Sequence, residues 1–264
     1  MGRFVAIYQD YVAAGTLSGG SYLGLLPLSL AQTLDIGQVA RTTNDNPNSS
    51  TIVADLGSSP VVGGVAVGPA NLSYGSTFRV TGSNFTNFSS PVFESGYQTV
   101  AGAYTDWPDA VWAVSILPSN QSARYWRIKI YDASNVSGYI QFGRVIIGRA
   151  FRPSVNYEYG AEFSCDPIYR RVESIGGRRQ DWDLNRRRGY RLSFGALPES
   201  ELFDDVYRMR QVCGASEQVF VCPDPDDTDN FQKRSFLATL RSPPPIVQAY
   251  FGLGTTVIDC EEVL

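Results

Sequence analysis

Apolar and polar residues alternate one by one near the middle of the chain. Between Arg124 and Gly148, Trp126, Ile128 and Ile130 take turns with Arg127 and Lys129. That is the two-residue period of a strand with one buried face. Asp132–Gly138 follows, rich in the Asp, Asn, Ser and Gly that form turns. Tyr139–Ile147 is a second apolar run, and Gly143 within it marks a bulge or a close approach of another backbone.

Shorter runs between turn signals predict further strands at Phe4–Tyr8, Thr51–Asp55, Val61–Val67, Thr77–Thr81 and Ala110–Leu117. Their close spacing predicts an antiparallel sandwich, and no helical period interrupts it. Residues 149–160, with Pro153, Tyr157 and Tyr159, read as a connector. The expected division is therefore a sandwich domain at 1–150 and a second domain at 151–264.

Charged residues become more frequent after the connector. Arg178–Leu184 and Arg187–Phe194 predict a hairpin around Leu184, Asn185 and Arg186, with Tyr190, Leu192 and Phe194 on one face. Glu199–Cys213 predicts the one helix. Leu202, Val206, Met209 and Cys213 recur at helical spacing, acids come early, arginines late, and Gly214 stops the run. Gln218–Cys222, Phe231–Leu240 and Val247–Ile258 predict strands, Pro223–Asn230 a solvated loop, and Ser242–Pro245 a stiff spacer. The fold class is mainly β: a β-sandwich followed by a second β-rich domain with one helix near 199–213.

Composition narrows the chemistry. At 264 residues the chain can bury a sizeable core without metal or disulfide staples. A net charge of −4 argues against broad nucleic-acid binding. There is no histidine, which excludes Ser-His-Asp and Cys-His triads and imidazole metal sites within one chain. Cys165, Cys213, Cys222 and Cys260 form no C-x-x-C pair. They read as free buried thiols, with disulfides or a four-thiolate site as the alternatives. Leu23–Leu34 is apolar but short and broken by Gly24, Pro27 and Gln32, so no membrane insertion is expected. No secretory signal is read at the N-terminus, and the Asn-x-Ser/Thr sequons read as loops.

Three segments carry candidate chemistry. In Gln98–Trp112, Tyr104, Asp106 and Trp107, with Trp112 behind them, offer an aromatic platform beside a carboxylate. Sugars are held that way, C–H groups on the ring and hydroxyls on the acid. The alternative is a Trp closing the end of a sandwich core. The second segment is the arginine cluster Arg170, Arg171, Arg178, Arg179, Arg186, Arg187, Arg188 and Arg191. On paired strands these would repel unless acids meet them, and Glu173, Asp181 and Asp183 are at hand. The cluster reads as a salt-bridged subunit interface; solvated surface and nucleic-acid contact, with Trp182 stacking on a base, are the alternatives. The third is the acidic loop Asp224–Asp229, a solvated turn that lacks the Gly and closing Glu of a calcium loop, so no metal site is expected. Asp55 reads as a turn cap. No pair of carboxylates stands out as an acid and a base, so no enzyme activity and no cofactor are expected.

The strand text of Arg124–Gly148 resembles the closing strands of discoidin-like, galactose-binding-type jelly rolls. Taken with STIVADLGSSPVVGGVAVGPANLSYGSTFRV (Ser50–Val80) and GYIQFGRVIIGRAF, it also resembles the first domain of tail-tip proteins of long-tailed bacteriophages, over residues 35–165. That resemblance implies a distal-tail-protein role: a virion structural protein, assembled in the bacterial cytoplasm, forming a ring commonly of six subunits that joins the tail tube to hub and fibres. It implies no catalysis, and a sandwich facing outward to hold fibres or touch host saccharide. Reduced cysteines fit such a compartment. The expected ring contacts are Arg178, Arg179, Trp182, Arg186, Arg187 and Arg188, where charge reversal at Arg186–Arg188 should block assembly without unfolding the monomer. The competing reading is a carbohydrate-binding or host-receptor-binding module.

Overall fold

A computed structural model describes residues 3–102, 111–173, 176–214 and 216–264. The chain runs β1 Val5–Asp10, β2 Thr16–Ser18, β3 Ala40–Arg41, β4 Ile52–Asp55, β5 Val61–Ala70, β6 Thr77–Ser83, β7 Pro91–Glu94, β8 Gln98–Thr99, β9 Val111–Ser122, β10 Tyr125–Tyr131 and β11 Gln141–Phe151. It continues with β12 Glu162–Glu173 and β13 Arg179–Pro198. A helical run follows, made of α1 Glu199–Glu201, a π turn at Leu202–Val206 and α2 Tyr207–Cys213. Last come β14 Gln218–Cys222, α3 Phe231–Arg234, β15 Phe236–Leu240, β16 Val247–Tyr250 and β17 Leu253–Glu262. The protein is mainly β, and the strand pairings described are antiparallel.

The contacts divide the chain into two units. One is Met1–Arg152 together with Val219–Phe236, the other Pro153–Gln218 together with Leu237–Leu264. The sequence points to a single break near residue 150. The structure has a break there and also returns Val219–Phe236 to the first unit, where Val5, Ala6 and Ile7 of β1 pair with Cys222, Val221 and Phe220.

The first unit is a two-sheet sandwich. In one sheet β4, β10, β6 and β7 lie side by side, with β2 beyond β4 and β8 on β6. In the other, β1, β11, β5 and β9 are neighbours and β3 pairs with β11. The alternation read in the sequence holds here: Trp126, Ile128 and Ile130 are fully buried, beside Phe78 and Val80 of β6 and Ile52 of β4. They share one core with Val65, Val67, Phe142, Val145 and Ile147 of the facing sheet. The expected strands at Phe4–Tyr8, Thr51–Asp55, Val61–Val67, Thr77–Thr81 and Tyr125–Tyr131 all occur, with ends shifted by a few residues.

Two residues of the Gly-Arg pair in β11 turn out to be structural. A Cβ on Gly143 would run into the Ile36 carbonyl, so the glycine admits a close backbone approach, as its place in the strand suggested. Arg144 is buried and reaches Asp10 of β1 and the Gln32 and Thr33 carbonyls. One guanidinium thus ties β11, β1 and the short 3-10 turn Leu28–Gln32 together.

The second unit differs from expectation in one important place. Arg178–Leu184 and Arg187–Phe194 are not two arms of a hairpin; both belong to the single strand β13. Its partner is β12, which pairs with it from Glu162↔Arg191 to Glu173↔Arg179. Leu184-Asn185-Arg186 is not a turn but the site of a bulge: Ile168 pairs with Asn185 and Tyr169 with Asp183, leaving Leu184 as the extra residue. Gly176 and Gly177, the latter with φ 76°, lie between the two strands, where the chain has to reverse. Two smaller shifts follow the same logic of breakers. Phe231–Leu240 opens as the helical turn α3 before β15, and Val247–Ile258 is split into β16 and β17 around Gly252, φ 72°. The helical run is as expected: Leu202, Val206, Met209 and Cys213 are buried and Gly214, φ 53°, ends it.

Candidate functional site

The expected saccharide platform, Tyr104, Asp106 and Trp107, lies outside the described residues. Both of its flanks are described, and one buried side chain holds them together. Gln232 Nε2 donates to the Ala101 carbonyl (2.8 Å) and to the Trp112 carbonyl (2.9 Å), and its Oε1 accepts from the Trp112 backbone N–H (2.8 Å). Gln232 therefore acts as a one-residue strand closing the base of that segment. Trp112, expected behind that platform, is buried against Phe220, with ring centroids 4.9 Å apart. It belongs to the packing of the sandwich and is not part of an exposed platform.

β10 also presents a polar face opposite the sandwich core. Because Trp126, Ile128 and Ile130 face inward, Tyr125, Arg127, Lys129 and Tyr131 of β10 face outward. Register places Lys129 directly across from Arg79 and Arg127 across from Thr81. Arg79 is ion-paired with Glu94. Tyr97 packs on Tyr131, ring centroids 5.1 Å apart, and Arg79 sits 5.7 Å from the Tyr97 ring. Arg127 lies 4.4 Å over the Phe88 ring. Phe88 holds that position from a left-handed backbone, φ 54°, a conformation that disfavours side chains. At the end of the face Arg124 makes a two-pronged pair with Asp55 at 2.7 and 2.9 Å. The Arg124 hydrogen bonds hold the Asp55 carboxyl below its ordinary range. Asp55 also accepts from the Gly57 N–H, so it caps the turn as the sequence suggested.

In the second unit the arginine cluster separates into two kinds of residue. Arg188 is nearly buried and grips Glu262 of β17 with two nitrogens, and its backbone N–H donates to the same carboxylate. It is a structural ion pair within the chain. The others line an exposed ribbon. β13 pairs with β17 only from Gly189 onward, so Arg179–Arg188 has β12 as its one strand partner among the described residues. On this stretch Arg171 and Arg179 share Asp181, at 2.9 and 3.0 Å, and Arg187 reaches Glu261 at 3.4 Å. Arg178 and Arg186 are exposed. Trp182 lies across from Arg170, and with Tyr169, Val172 and Leu184 it leaves large apolar surface open to solvent.

The remaining candidates are quiet. Cys213, Cys222 and Cys260 are buried thiols in no disulfide, each pushed up to about 12 by burial; Cys165 is exposed and also in no disulfide. In the acidic loop Asp224 accepts from the Asp226 N–H, while Asp227 accepts from Asn230 and pairs with Arg234 at 2.8 Å. No group of three or more metal-ligating side chains is assembled among the described residues. No helix among them is long and apolar enough to cross a membrane.

The sequence matches no protein-family model and no curated protein. Several solved structures are similar. A family 32 carbohydrate-binding module from Clostridium perfringens NanJ, in complex with galactose, is 16% identical and covers 55% of this chain and 99% of its own, with a TM-score of 0.41. Chitosan-binding module 1 from a chitosanase/glucanase of Paenibacillus sp. IK-5 is 16% identical, covers 54% of this chain and 100% of its own, TM-score 0.38. The lectin binding domain of Lectinolysin, complexed with Lewis b, is 15% identical, covers 53% and 96%, TM-score 0.39.

Proposed function

We propose that this chain is a non-catalytic carbohydrate-binding protein. The observation that carries this reading is the first unit itself: the text of Arg124–Gly148 that resembles galactose-binding jelly rolls forms adjacent-layer strands β10 and β11 of an antiparallel sandwich. A body of this kind has a dry core and leaves its loops free for ligands. Tyr104, Asp106 and Trp107 are the proposed sugar contacts, on a segment whose base Gln232 clamps. A glycan array followed by titration calorimetry tests the reading. Saturable binding to a saccharide, lost in Trp107→Ala with the melting temperature unchanged, is expected. An array without any bound glycan would sink it.

A second reading, a structural component of a bacteriophage tail tip that assembles as a ring, is favoured by the ribbon of β12 and β13. An isolated two-stranded ribbon is marginal in water, and this one exposes Tyr169, Val172, Trp182 and Leu184 beside arginines. Such a surface gains by meeting another protein. The reading places Arg178, Arg179, Trp182, Arg186 and Arg187 at subunit contacts, with tail tube, hub and fibre proteins as neighbours and the virion as the location. The two readings are compatible: a ring of sandwich-bearing subunits would present its sugar sites in multiple copies. Light scattering and negative-stain imaging of the purified chain test it; closed rings lost in Trp182→Ala are expected, and a monomer at all concentrations counts against it.

A further inference from the structure

The outward face of β10 and β6 is cationic within a chain of net charge −4. Lys129 and Arg79 stand directly opposite each other, an arrangement that destabilises a sheet when nothing anionic lies between them. Glu94 relieves Arg79 alone. Arg127 and Lys129 have no carboxylate across from them on β4 or β6: their cross-strand neighbours are Val53, Thr81 and Arg79. With Arg124 paired to Asp55, Arg127 and Lys129 on this face enter no ion pair among the described residues. Aromatic rings bracket them. Tyr97, 64% exposed and braced by Tyr131, stands at one end; Phe88, held under Arg127, stands at the other.

We infer that this sheet face binds an acidic polysaccharide, one carrying carboxylates on its sugar rings. Arg127 and Lys129 would donate charge-assisted hydrogen bonds to the carboxylates. The exposed Tyr97 ring would take the C–H face of a sugar. This site is separate from the Tyr104–Trp107 segment, although the inference rests on the carbohydrate-binding reading. Two cations favour this occupant over nucleic acid, whose counterion-driven grip takes many more phosphate contacts.

The test is calorimetric titration of the full chain with polygalacturonate, with neutral galactan, and with single-stranded oligonucleotide at matched charge. Binding of polygalacturonate is expected, weakening with salt along a log–log slope of about −2 or shallower. Lys129→Glu and Arg127→Glu should each weaken it by about tenfold or more, and Tyr97→Ala by about fivefold. Melting temperatures should show all variants folded. Galactan bound but polygalacturonate not bound would overturn the inference while leaving the sugar-binding reading in place. Polygalacturonate bound equally by the charge-reversed variants would overturn it, as would oligonucleotide bound as tightly as the polysaccharide. Polygalacturonate bound through Arg127 and Lys129 with no neutral glycan bound would support it while removing the role given to Trp107.

Discussion

Arg144 Nη2 and Asp10 Oδ2 lie 2.9 Å apart, with the arginine side chain 2% exposed and the aspartate 10%. Burial pushes the Asp10 carboxyl up from its ordinary range; Arg144 and the Val12 and Ile147 N–H groups pull it back. The pair is therefore held by mutual need, since either charge left alone would be stranded in a dry site.

Arg144→Ala should cost about 3–5 kcal/mol in urea unfolding at pH 7. The sign of the pH effect follows. Without its arginine the folded-state carboxyl takes up a proton at higher pH than the unfolded one, so stability is lost as pH rises above the model-peptide value of about 3.9. The variant should be closer to wild type at pH 4 than at pH 7. An equal loss at both values would mean the guanidinium acts by packing alone.

The arginine cluster makes two opposite predictions at neighbouring positions. Arg188→Ala strands the Glu262 carboxylate, which is 9% exposed, and should lower stability by about 3–5 kcal/mol. Arg186→Glu changes an exposed residue of the ribbon and should leave the unfolding midpoint nearly unchanged. Charge reversal across Arg186–Arg188 as a block would therefore unfold the second unit in addition to any effect on assembly. Only Arg186, among these, is a clean probe of an interface. Chemical denaturation of the two single variants checks this.

The thiols give a second pH signature. Burial keeps Cys213, Cys222 and Cys260 protonated to about 12 in the folded protein, against about 9 for an ordinary thiol. Raised folded-state values mean stability is fully present below pH 9 and declines above it. Each thiol contributes a slope of about 1.4 kcal/mol per pH unit between the unfolded and folded values. A thiol reagent at pH 8 should label Cys165 alone in the native protein, and the other three only after denaturation. Labelling of Cys222 or Cys260 in the native state would contradict their burial.

How much of this was legible in the sequence depends on where the information lies. Trp126, Ile128 and Ile130 announce β10 because their burial is set by the local two-residue period. Leu202, Val206, Met209 and Cys213 announce the helix for the same reason at its own period. β12 is nearly silent: Glu162–Glu173 is exposed on both faces and contains Pro167, so neither alternation nor propensity marks it. Its strand state comes from pairing with β13, a long-range fact. The same holds for Val219–Phe236, whose return to the first unit depends on Phe220 meeting Trp112. The cationic sheet face was half visible. Arg127 and Lys129 alternate in plain view, but their neighbours Arg79, Tyr97 and Phe88 arrive from other strands and loops.

Gln232 offers the most direct way to ask whether the segment between Ala101 and Trp112 matters for ligand. Its three hydrogen bonds replace a strand neighbour for both flanks. Gln232→Leu keeps the approximate volume but leaves the Trp112 N–H and the two carbonyls unmet in a buried place, where Gln232 is 3% exposed. A loss of about 1–3 kcal/mol is expected. If Tyr104, Asp106 and Trp107 hold sugar, the variant should also bind glycan more weakly while still folded, because ordering the segment is then charged against binding. Binding of acidic polysaccharide through Arg127 and Lys129 should not change. Hydrogen exchange at Trp112, measured with and without saccharide, separates the effects: faster exchange in the variant that saccharide slows would tie the clamp to the ligand, and exchange indifferent to saccharide would confine Gln232 to the fold.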